Sequence, residues 1–81
     1  MMSCEHHDYI EIACMHHYPI KLTFKGGVEI TGQACDTGFN DERQECIKIK
    51  DHQGEKLVPL DDVTSIEIMK ENPHFKIVRF T

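Results

Sequence analysis

The stretch from Ile20 to Ala34 leaves this chain few folds to choose from. Ile20, Leu22 and Phe24 alternate with Lys21, Thr23 and Lys25, the period-two pattern of a strand with one buried face. Gly26-Gly27 interrupts the pattern, and because both positions tolerate positive φ the chain is expected to turn back there as a hairpin. Val28, Ile30, Gly32 and Ala34 then resume the inward set, against Glu29, Thr31, Gln33 and Cys35 outside. Gly32, in mid-strand, marks a sharp bend of the kind a small barrel needs.

The same grammar runs to the end of the chain. Asp36 to Glu42 is polar and reads as a loop, and Cys46 to Asp51 as a strand with Ile47 and Ile49 inward. His52-Gln53-Gly54 turns the chain into another strand, and Leu60-Asp61-Asp62 reads as a tight turn or a single 3₁₀ turn. Asn72-Pro73 breaks the strand that follows, and Phe75 to Phe80 reads as a last strand that extends or covers an edge. Strands are therefore expected at about 19–25, 28–36, 45–51, 56–60, 63–69 and 75–80.

Ahead of them lies a different kind of sequence. Ser3 to Tyr18 holds Glu5, Asp8 and Glu11, four histidines and two cysteines, with no lysine or arginine. A helix is expected over about 8–17, with Asp8 as N-cap and Glu11 at N3, close to a capping box and suited to the helix dipole. Tyr9, Ile12, Ala13 and His16 fall on one face, which is expected to dock on the sheet, with Ile10, Cys14 and His17 beside it. Pro19 is expected to stop the helix. Two to three turns are too short to be stable alone, so the helix must pack on the strands.

The whole reads as a single domain over 1–81, mainly β with one N-terminal α-helix. The plan is a small Sm-like barrel of five to six strongly bent antiparallel strands; an OB-fold, the near competitor, carries its helix later.

Charge and composition narrow the function classes. Fourteen Asp and Glu against nine Lys and Arg give a formal net charge of -5, which argues against general nucleic-acid binding and for a basic partner. No apolar run approaches a membrane span, and no basic segment leads into an apolar export signal, so no membrane association is expected and the expected compartment is the cytoplasm. There the four cysteines, Cys4, Cys14, Cys35 and Cys46, are expected as free thiols.

Chemistry is poorly provided for. Cys4-Glu5-His6-His7 and Cys14-Met15-His16-His17 repeat one pattern of soft ligands, but the spacing matches no zinc site, so neither metal nor cofactor is expected. No serine or cysteine has an evident base and oxyanion pocket, and no Gly-rich loop opens a helix, so the chain is not expected to be an enzyme. What stands out is the acids. Glu5, Asp8 and Glu11 are three residues apart and line one face if the helix begins early, with His6 and His7 as adaptable neighbours.

These residues resemble a known family. The run Cys4 to Gly27, then Gly32-Gln33-Ala34-Cys35-Asp36 and Leu60 to Ile66, is similar to the Rho-binding antiterminators called Rof or YaeO. The most specific part is the set Cys4, Asp8, Ile10, Glu11, Ala13, Cys14, His16 and His17. The similarity runs from about Cys4 to Ile66 and thins beyond Met69. It implies a Sm-like barrel with an N-terminal helix, and a protein that binds the termination factor Rho, a hexameric RNA helicase. Binding would cover the primary RNA site on Rho's OB-type N-terminal domains, block RNA loading and so cause antitermination.

Asp8 and Glu11 match the family pattern and Glu5 replaces an acid conservatively, whereas His6 and His7 stand where another acid and an aromatic are expected. The candidate Rho-contacting residues are Glu5, His7, Asp8 and Glu11, with Phe39 and Arg43 of the following loop as a second contact. A free monomer with no direct nucleic-acid ligand is expected. Two alternatives remain: an Sm-like RNA-binding protein, or an interaction module for another basic partner.

Overall fold

Residues 4–73 and 76–80 are described by the structure, a computed structural model, with side chains from residue 6 onward in the first helix. Helix α1 (Cys4–Met15) leads into β1 (Pro19–Phe24), β2 (Glu29–Phe39), β3 (Glu45–Asp51) and β4 (Gly54–Pro59). A 3₁₀ turn (Leu60–Asp62) then precedes β5 (Val63–Ile68) and β6 (Ile77–Arg79). The strands form one antiparallel sheet in the order β4-β3-β2-β1-β5-β6. The fold is mainly β with an N-terminal helix, as the sequence implies, but the barrel stays open: among the described residues no ladder joins β4 to β6.

The sheet bends where the sequence provides for it. At Gly32 an added Cβ would run into Ile49 Cγ2 and stand 3.0 Å from the Lys50 carbonyl oxygen, so β2 presses directly on β3 there. Two residues on, the β2–β3 register skips Cys35 as a bulge between Ala34 and Asp36. A second irregularity lies between Thr23 and Phe24 on the β1–β5 side. Gly32→Ala is expected to cost about 1–3 kcal/mol, because a packed isoleucine and a backbone carbonyl must both give way. A urea melt checks this, and an unchanged midpoint would mean that the strands separate there at no cost.

Inside the curl sit Ile20, Leu22, Ala34, Ile47, Ile49, Val58, Leu60, Val63, Ile66 and Ile68, all buried. These are the period-two inward positions expected of an antiparallel sheet with one wet face. The alternation breaks at two places. Val28 is 62% exposed, since it belongs to the turn before β2 rather than to the strand, and Cys46 is buried next to Ile47. The polar run from Asp36 is not a loop at first: β2 continues to Phe39, because the bulge lets it stay paired with β3 as far as Glu45.

Helix α1 departs from expectation at both ends. It begins at Cys4, so Asp8 lies inside it and is not its N-cap. The early turns are held by tertiary contacts: the His6 ring lies 5.0 Å from that of Phe80, and His7 reaches Glu45. Tertiary contacts of this kind help to sustain a short helix.

The helix ends at Met15, before Pro19 can act. His17 takes a left-handed φ of 52°, the Tyr18 N–H donates to Ala13 O (3.0 Å) and the His17 N–H to Cys14 O (3.1 Å). This is a Schellman stop with histidine where glycine is usual. His17 Nδ1 lies 3.2 Å from Ala34 O, which ties the strained residue to β2.

The docking face shifts accordingly. Ile10, Ala13 and Cys14 are buried, Tyr9 and Ile12 are only half-buried, and His16 is exposed. The face assigned to Tyr9, Ile12, Ala13 and His16 is thus off by roughly one residue's rotation, about 100°. His6 and His7 fix the helix from both flanks, and the strip between them is the one that turns inward. The last strand extends the sheet beyond β5, while Phe75, where it was expected to begin, lies outside the described residues.

Candidate protein-interaction site

With Ile10, Ala13 and Cys14 against the sheet, helical periodicity sends Asp8, Glu11 and Met15 outward. All three are exposed, Met15 at 72%. The early start of the helix places Glu5 in the same element, one turn ahead of Asp8; its side chain lies outside the described residues. Asp8 and Glu11 are therefore brought together on the wet face.

His7 sits at the edge of that face and is half-buried. Its Nδ1 is 3.1 Å from Glu11 Oε1, one turn along the helix, and its Nε2 is 2.6 Å from Glu45 Oε2, the first residue of β3. Glu45 is a site residue that the sequence reading missed. Its partner in the ladder is Phe39, the last residue of β2. Phe39 is 68% exposed and, with His7, Thr37, Gly38 and Glu45, lines a shallow depression between helix and hairpin. The helix and the β2–β3 hairpin thus form one continuous surface.

The loop that closes this hairpin is built by Asn40. Its Oδ1 accepts the Glu42 and Gln44 N–H groups, each at 2.9 Å, and its Nδ2 donates to Gln44 Oε1 at 2.8 Å. Arg43 occupies a left-handed conformation (φ 63°) and is exposed. An asparagine holding its own turn in this way is a common device. It fixes the hairpin tip that carries Phe39 and Arg43, of which Phe39 lies beside the helix residue His7.

A second depression opens beside the C-terminal half of the helix, lined by Glu11, Cys14, Met15, His17, Cys35, Asp36 and Thr37. The bulge delivers Cys35 and Asp36 to this place. Burial, then the nearby Asp36, Cys35 and Glu11, pushes the Cys14 thiol up to about 12, which keeps it protonated and unreactive. Asp36 and Glu45 extend the acidic face of Asp8 and Glu11 onto the sheet. Among the described residues no three of His, Cys, Asp and Glu converge as a metal set, and no described helix is long and apolar enough to cross a membrane.

An outward acidic helix joined to a hairpin tip on an open six-stranded sheet can be compared with known proteins. The family profile ROF, described as a modulator of Rho-dependent transcription termination, matches residues 1–80. The chain belongs to the ROF family. The match carries the likeness past Met69, where the sequence reading saw it thin, and takes in β6 and Phe80, which support the helix. Among solved structures the chain is similar to YaeO bound to magnesium from Vibrio cholerae O395. The two are 42% identical, with a TM-score of 0.87 over 91% of this chain and 96% of that one. Comparison with curated proteins finds no match. The family is thus one of modulators of Rho-dependent termination.

Proposed function

We propose that this chain inhibits the termination factor Rho by laying its acidic face on the basic primary RNA-binding site of Rho's N-terminal OB-type domain. The observation that carries this reading is the exposed pair Asp8 and Glu11 on α1, continued by Asp36 and Glu45 on the sheet. A site built for phosphates presents cations, and carboxylates held on a rigid element compete for the same cations. Glu5 supplies a further charge at the start of the helix. His7 and the hairpin tip, Phe39 and Arg43, flank the acids and supply a stacking surface and a donor. RNA loading is blocked while the face is occupied, and termination fails.

Rho-dependent termination in a purified transcription system tests the reading. Wild-type protein is expected to raise read-through in proportion to its concentration, and added Rho is expected to reverse it. Read-through that is unaffected, with the protein binding RNA directly, would favour an Sm-like RNA binder; binding to a basic protein other than Rho would favour a different interaction module. At the hairpin tip, Phe39→Ala is expected to weaken Rho binding several-fold without moving the melting temperature, since so exposed a side chain adds little to the fold. Equal affinity for Phe39→Ala and Arg43→Ala would confine the contact to the helix and Glu45.

A further inference from the structure

Both nitrogens of His7 face carboxylate oxygens, Nδ1 toward Glu11 at 3.1 Å and Nε2 toward Glu45 at 2.6 Å. An ionised carboxylate only accepts, and a neutral imidazole carries a single N–H, so only the imidazolium donates to both acids at once. The two acids belong to different elements, α1 and β3, and the ring bridges them. We propose that His7 is a positioning residue acting as a proton-operated clasp. As imidazolium it ties α1 to β3 and neutralises charge on Glu11 and Glu45; as neutral ring it keeps one bond and leaves the other carboxylate free for a cation of the partner.

The surroundings make charge, rather than shape, the variable. From its own helix His7 faces Glu11, with Asp8 turned outward next to it; from β3 it faces Glu45. From β2 it meets Thr37, Gly38 and Phe39, which carry no charge, and the adjoining loop bears Asp41, Glu42 and Arg43, all exposed. Imidazole exchanges its proton between about pH 5 and 8. Protonation of the ring therefore closes the clasp, and loss of that proton opens it. The bridge it adds to the fold is present at low pH and fades as pH rises.

The masking half of this proposal rests on the Rho reading; the clasp itself does not. Both are tested with wild type, His7→Gln and Glu45→Gln, each first shown by circular dichroism to be folded. In the free protein, wild type is expected to melt several degrees above both variants at pH 5.5, and the gap is expected to close by pH 8. Nitrogen NMR of the wild-type ring at pH 5.5 is expected to show two protonated nitrogens. A gap that is absent, or the same at both pH values, would overturn the clasp whatever Rho does.

With Rho, the affinity of His7→Gln relative to wild type is expected to be several-fold higher at pH 5.5 than at pH 8. A ratio that does not change with pH would overturn the masking role. A clasp present in the free protein with no Rho binding at either pH would leave the clasp standing and sink the Rho reading instead.

Discussion

Reversing both helix acids, Asp8→Lys with Glu11→Lys, is expected to weaken Rho binding by at least about 100-fold while leaving the fold intact. The two side chains are exposed, so their replacement removes no core contact, and surface changes of this kind shift stability by only about 0.5 kcal/mol. At the interface the change is large. Each reversal removes an attraction to a cation and sets a like charge against it, and close charge pairs between proteins couple by about 1.5–7 kcal/mol. Even the low end of that range, taken twice, exceeds the 2.8 kcal/mol or so that corresponds to 100-fold. Glu11→Lys also breaks the bond to His7, but the His7–Glu45 contact still holds the helix flank. Titration with Rho checks the effect, and the charge-neutral pair Asp8→Asn with Glu11→Gln is expected to fall between the two.

Ile10→Ala is expected to be the most damaging single change in the helix. Ile10 is fully buried at the centre of the contact between helix and sheet, and truncating such an isoleucine costs about 2–5 kcal/mol. A domain of this size has only some 4–12 kcal/mol to lose. The melting temperature should therefore drop by at least about 10 °C. The half-buried Ile12 is the control: Ile12→Ala should cost clearly less. Equal losses at the two positions would mean that the helix docks on the face first read from the sequence, and not on Ile10, Ala13 and Cys14.

That contrast shows where the sequence is informative. Period-two alternation is dictated by burial on one face of a sheet, so Ile20, Leu22, Ile47 and Ile49 could be placed inward from pattern alone. The Gly26-Gly27 turn was equally plain: both residues have φ near 90°. The helix was harder because two adjacent stripes of its sequence are comparably apolar. The choice between them was made by His6 packing at a tilt against Phe80 and His7 bridging to Glu45, contacts at separations that no local signal carries.

Glu45 escaped notice for a related reason. In sequence it is only the polar first residue of a strand, and the register Phe39↔Glu45, set by the Cys35 bulge, is what brings it beside the helix. The acids Asp8 and Glu11, in contrast, were visible from their spacing and from the lack of any neighbouring cation. What was missed about them was only their place inside the helix.

The central claim is that the acidic face and RNA compete for one surface of Rho. The direct measurement is displacement of a labelled pyrimidine-rich RNA from Rho by the wild-type protein at low and at high salt. Release of the RNA as protein is added, with markedly more protein needed at high salt, is the predicted result, because screening weakens exposed charge pairs. RNA that stays on Rho while the protein also binds, forming a ternary complex at either salt, would contradict it and move the contact away from the RNA site.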